Sequence, residues 1–99
     1  MSPAGGTCMA RIVVERAVDE ARLTGLGVRG WPIWTKEPSR FPWSYDEPET
    51  CYFLAGDVTV TPDDGEPVKM GTGDLVTFPA GLSCTWEIRS AVRKHYRFG

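Results

Sequence analysis

Ninety-nine residues allow one hydrophobic core, because a chain of this size buries only about 60 to 65% of its unfolded surface, and a second domain is excluded. A hydrophobic fraction of 41%, a charged fraction of 24% and a net charge of -2 with pI near 5.3 describe an ordinary globular chain with nothing to attract a phosphate backbone, which excludes nucleic acid as a partner. No apolar run reaches the roughly 20 residues that span a bilayer, and residues 1–10 lack the basic and apolar regions of a secretion signal; the reading is a cytoplasmic protein with no membrane partner.

Residues 1–10, rich in Gly, Ser and Pro, are expected to form a disordered tail, with one domain over residues 11–99. A first strand is expected at Ile12 to Glu15. The helix-like window is Val18 to Leu26, closed by Gly25 and Gly27. Further strands follow at Trp31 to Trp34, Arg40 to Tyr45, Thr50 to Ala55, Asp57 to Thr61, Pro67 to Met70, Leu75 to Phe78, Ser83 to Arg89 and Val92 to Phe98. Short connections rich in Gly, Pro and Asp separate them. Regular spacing of this kind predicts an all-β chain, an antiparallel sandwich or closed barrel whose closure removes sticky edges.

Side chains alternate across a strand, so if Glu49 faces inward, Cys51 and Phe53 follow it while Tyr52 and Leu54 face away. The same counting groups Cys84, Trp86 and Ile88, groups Phe41, Trp43 and Tyr45, and places Val92, Lys94, Tyr96 and Phe98 inward opposite Arg93, His95 and Arg97. His95 is thereby expected at the surface. The inferred cavity is aromatic with a few polar groups, the general character of a small-molecule site. Its candidate ligand-binding residues are Trp43, Tyr45, Glu49, Cys51, Cys84, Trp86 and Lys94. A carboxylate inside a barrel must be paired, hydrogen-bonded or protonated. Lys94 is the available partner for Glu49, and such a pair can exchange a proton. Glu49 is expected to orient a cationic or donor-rich ligand, with Trp43, Tyr45 and Trp86 supplying contact area. Trp31 and Trp34 are assigned to the barrel exterior or to a homodimer contact.

Three cysteines without a secretion signal point to reduced thiols. Cys8 falls in the tail. Cys84 is open to three readings, a soft metal ligand, a nucleophile or a small buried hydrophobe.

The segment Gly73 to Cys84 (GDLVTFPAGLSC), preceded by Glu49 and Gly56 at matching spacing, resembles the RmlC-like cupin superfamily. Its patterns are G(x)5HxH(x)3-4E(x)6G and G(x)5PxG(x)2H(x)3N. Gly73, Pro79 and Gly81 fill the second pattern, with Cys84 in its His position and Ile88 in its Asn position. Glu49 and Gly56 fit the first, whose histidine positions fall on Trp43 and Tyr45, or on Pro42 and Ser44 with the longer spacer. Trp31-Pro32-Ile33-Trp34, Phe41-Pro42-Trp43-Ser44-Tyr45-Asp46 and Arg93-Lys94-His95-Tyr96 further resemble the small single-domain branch related to the ethanolamine-utilisation and ureidoglycine aminohydrolase families. The resemblance implies a small antiparallel cupin barrel, a double-stranded β-helix. With the histidines replaced, it implies a dismantled metal site: no cofactor is expected, and a divalent metal, if present, would have Glu49 and Cys84 as ligands. The expected function is binding of a small polar metabolite by a homodimeric protein of undefined activity. The alternative that the resemblance implies is a metal-assisted hydrolase or isomerase of a small nitrogenous or carboxylate metabolite.

Overall fold

The computed structural model describes residues 11–99. The expected tail, residues 1–10, lies outside them. Strands β1 (Val13–Glu15), β2 (Ile33–Lys36), β3 (Ser39–Ser44), β4 (Glu49–Pro62), β5 (Val68–Gly71), β6 (Leu75–Phe78) and β7 (Ser83–Phe98) form one antiparallel sheet. Its order is β1-β6-β4-β7-β2, with β3 also on β7 and β5 also on β4. This sheet folds over a single core as an all-β antiparallel barrel.

One short helix, α1 (Glu20–Leu26), precedes β2. It starts later than the apolar window because Asp19 is its cap: the Asp19 side chain accepts from the Arg22 N–H at 3.0 Å. Gly27 closes it, donating to the Thr24 carbonyl at 3.1 Å. Leu23 turns its one apolar face into the protein.

The segments expected as separate strands at Thr50 to Ala55 and Asp57 to Thr61 are one bent strand, β4, and those at Ser83 to Arg89 and Val92 to Phe98 are one bent strand, β7. Pairing between them runs from Glu49 with Phe98 to Pro62 with Cys84, interrupted by register shifts between Phe53 and Val58. These bulges bend the ladder without ending it. Gly56, at φ +134°, sits at the bend, where a Cβ would meet Val92 Cγ2 at 3.1 Å. Gly71 packs on it so closely that a Cβ there would lie 2.7 Å from the Gly56 carbonyl oxygen. Asp74 fastens the adjoining turn, its Oδ2 accepting from the Gly71 N–H at 2.9 Å and from Arg16 Nη1 at 2.7 Å.

Alternation holds along the long strands. Glu49, Cys51 and Phe53 are buried while Tyr52 and Leu54 are partly exposed, and Cys84, Trp86 and Ile88 are buried together. Two expectations fail on depth or cover. Trp43 shares the inward face with Phe41 yet is 47% exposed, because it stands at the barrel mouth. His95 is on the outer face as counted but is buried: the segment before β2 covers it, and its Nδ1 lies 2.9 Å from the Trp31 carbonyl oxygen.

Candidate functional site

At the end of the barrel away from the bend lies an open cavity of about 200 Å³, walled by Trp34, Phe41, Trp43, Tyr45, Trp86, Tyr96 and Phe98, with Glu49 and Lys94 as its charged groups. Strand register assembles it. Lys94 on β7 stands beside Trp34 on β2 and Phe53 on β4; Phe98 stands beside Glu49, and Phe41 beside Trp86. Directly paired residues share a face, so these side chains all enter the barrel.

Glu49 Oε2 accepts from Lys94 Nζ at 2.6 Å, and each side chain is only 5% exposed. The ammonium also lies 5.1 Å from the Trp34 ring centroid and 5.2 Å from that of Trp86. Carboxylate and two π faces thus hold a cation that would otherwise be costly to bury. Trp34 meets Trp86 edge-on at 5.9 Å, and Phe41 stacks on the same indole at 6.1 Å. Tyr45 stacks on Phe78 at 4.9 Å, which sets its phenol pointing inward from the loop after β3.

Two buried polar atoms have no hydrogen-bond partner among the described residues, the Tyr45 hydroxyl and Trp86 Nε1. Burial, reinforced by the Glu49 charge, pushes the Tyr45 phenol well above its ordinary range, so it stays protonated as a donor. The Trp86 N–H lies near enough to the Tyr45 oxygen and the Cys84 sulfur to favour their anions, but reaches hydrogen-bond geometry with neither.

Of the residues singled out from sequence, Trp43, Tyr45, Glu49, Trp86 and Lys94 come together here; the two cysteines do not line the cavity. Cys51 is sealed beneath the ion pair, and burial pushes its thiol up to about 12. Cys84 turns its Sγ toward the Trp43 carbonyl oxygen at 3.5 Å, on the side of a shallow outer groove with Pro42, Ser44 and Asp63, and burial pushes it up to about 11. Trp34, assigned to the exterior or a dimer contact, is instead a cavity wall. Phe41, Tyr96 and Phe98 were placed inward by alternation but not counted as site residues; their register against Trp86, Cys51 and Glu49 is what brings them to the cavity.

These donors do not fit a divalent metal. The carboxylate Glu49 already holds the Lys94 ammonium at 2.6 Å, and Cys84 turns its Sγ to the Trp43 carbonyl oxygen at 3.5 Å, outside the lining of the cavity that Glu49 faces. No group of three or more His, Cys, Asp and Glu side chains converges among the described residues.

The family model of the EutQ-like cupin domain matches residues 23–96. A DUF861-family protein from Thermotoga maritima is 47% identical, with a TM-score of 0.87 over 90% of this chain and 100% of that one. A putative ethanolamine utilisation protein Q from Salmonella typhimurium is 26% identical with a TM-score of 0.60; the match covers 67% of this chain and 53%, about half, of that protein. An oxalate decarboxylase variant from Bacillus subtilis, at 17% identity and a TM-score of 0.53 over 88% of this chain and 25% of its own, shares the fold. No curated protein matches the sequence.

Proposed function

The chain belongs to the EutQ-like cupin family, and from that premise we propose that it binds one small, flat, polar metabolite in the aromatic cavity of its barrel. The observation that carries this reading is the pair of unpartnered buried groups, the Tyr45 hydroxyl and the Trp86 N–H, in residues that wall an open cavity. Buried polar groups are nearly always hydrogen-bonded, so two without a partner, both in residues of a cavity wall, call for an explanation that a bound ligand can supply. Pockets for drug-sized molecules run from about 300 to 1,000 Å³, so a cavity of about 200 Å³ selects something smaller. Facing rings favour a flat ligand. Because Lys94 neutralises Glu49, the charged groups of the cavity carry no net charge, and a cation is not what they select; that part of the sequence expectation is revised in favour of a ligand bearing acceptor oxygens or nitrogens.

Ligand-observed NMR with a set of small planar carbonyl and heteroaromatic compounds tests this. Tyr45→Phe removes one donor while keeping the ring, and should weaken a cavity ligand by about 1 kcal/mol, the net worth of one hydrogen bond. Compounds that bind Tyr45→Phe and Trp43→Ala as well as the parent protein would place the site elsewhere. The metal-assisted hydrolase or isomerase keeps the family likeness as its support, and the donor set weighs against it. Near-equimolar zinc, nickel or manganese surviving dialysis would restore it. A cytoplasmic setting accords with the free thiols Cys51 and Cys84. A homodimer would draw on the exposed Val13 and Ile33 of the edge strands, since Trp34 is taken up in the cavity. Among the described residues no helix is long and apolar enough to cross a membrane.

A further inference from the structure

We propose that Lys94 is a nucleophilic amine that forms a reversible imine with a small aldehyde or ketone, an inference that rests on the cavity being a ligand site. The chain has lysines at positions 36, 69 and 94 only. Lys36 and Lys69 reach solvent, whereas the Lys94 side chain is 5% exposed and lines the cavity. Lysine is among the residues least often buried. A purely structural ion pair in this position could be exchanged for apolar side chains of similar volume at little cost in stability. The placement of this pair on a cavity wall, beside two unpartnered donors, supplies each part that carbonyl condensation requires.

Glu49 Oε2, 2.6 Å from Nζ, takes one ammonium proton and leaves a lone pair on nitrogen. The lone pair attacks the carbonyl carbon, a C–N bond forms, and the C=O π pair moves to oxygen, where the Tyr45 hydroxyl and Trp86 N–H are the available donors. The Glu49 carboxyl protonates that oxygen and the carboxylate recovers a proton from nitrogen, giving the neutral carbinolamine. The same carboxyl then protonates the departing hydroxyl. Water leaves, the nitrogen lone pair closes the C=N bond, and the product is a protonated imine with Glu49 again ionised. The sum is ammonium plus carbonyl to iminium plus water, with no oxidant or reductant. The charge that starts on the ammonium ends on the iminium in the same place, beside the Trp34 and Trp86 faces, which attract an iminium as they do an ammonium.

Reductive trapping reads this directly. The protein is treated with benzaldehyde or pyruvate in the presence of cyanoborohydride, which reduces an iminium to a stable secondary amine, and adducts are located by peptide mass mapping. Lys94 is expected to label about a hundredfold faster than Lys36 and Lys69, the low end of what a positioned acid–base group contributes, and Glu49→Gln should remove most of that advantage while leaving the two surface lysines unchanged. Labelling of Lys94 no faster than that of Lys36 and Lys69 in the parent protein overturns the proposal without depending on any variant. If cavity ligands still bind by NMR in that case, the imine alone is lost. If they bind nowhere in the cavity, the binding reading falls with it.

Discussion

The two ends of the barrel are built on the same pair of strands and differ in almost everything else. Toward the bend, Val58, Met70, Ile88 and Val92 are each at most 3% exposed, and Gly56 and Gly71 touch backbone to backbone. Toward the mouth the same β4 and β7 carry the buried ion pair, the orphaned Trp86 N–H and the 47% exposed Phe98, and β3 with the loop after it adds the equally exposed Trp43 and the orphaned Tyr45 hydroxyl. One ladder thus supports an end optimised for packing and an end that leaves polar groups unsatisfied. Unsatisfied donors at the closed end would lie far from the cavity; at the open end they belong to residues of its wall. Where a small fold tolerates such groups, its function is the best place to look for the reason.

The largest effect should come from the ion pair. Lys94→Met leaves a buried carboxylate alone and should cost about 3 to 5 kcal/mol in urea unfolding, with most of that recovered in the Glu49→Gln/Lys94→Met double variant. A loss below about 1 kcal/mol for the single change would mean that water already reaches the pair and that the two ends are less different than they look. At the closed end, Gly71→Ala drives a Cβ against the Gly56 carbonyl oxygen and should cost about 1 to 3 kcal/mol, the scale of overpacking. A neutral result would show a bend that yields, contrary to the contrast drawn above.

Between the ends lies Cys51, whose thiol burial holds protonated up to about pH 12, against 9.0 for a free thiol. In the unfolded chain it ionises above 9 while the native form stays neutral, so the stability present below pH 9 is lost as pH rises, at about 1.4 kcal/mol per pH unit from this group. Denaturation at successive pH values from about 8 to 11 measures the slope, and Cys51→Ala should flatten it by that amount. An unchanged slope would show solvent entering beneath the pair. The smallest stability effect belongs to Trp43→Ala, within about 0.5 kcal/mol because the ring is half in water. Its ligand affinity should nonetheless fall by about 1 kcal/mol for want of a stacking face. A clear drop in melting temperature would return Trp43 to the core.

Regularly spaced turn residues and the cupin-like motifs read the barrel, and period-two counting read the inward set of β4 and β7, because alternate residues of a strand share a face. It could not say how deep along the axis a residue sits. Trp43 and Tyr45 share a face, yet one is exposed and the other buried, since β3 ends and the Tyr45 N–H turns to the Leu82 carbonyl at 2.9 Å. Nor does alternation reveal which strands pair. Trp34 reaches the cavity only through its register with Lys94, a contact sixty residues apart in sequence (94 − 34). The Glu49–Lys94 pair was legible because a lone inward carboxylate demands a partner and one inward lysine was on offer. The cover over His95 was not, because it comes from an irregular segment that has no period.

The edge-on contact of Trp34 with Trp86, 5.9 Å between centroids at 73°, has an optical consequence. Two indoles so close and so inclined couple their electronic transitions, and the coupled pair produces a couplet of opposite-signed bands in far-ultraviolet circular dichroism. Both rings wall the cavity and flank Lys94, so any molecule that shifts either ring changes the couplet. The protein therefore carries its own label-free gauge of occupancy, and Trp34→Phe, which dissolves the pair while keeping an aromatic wall, identifies the signal.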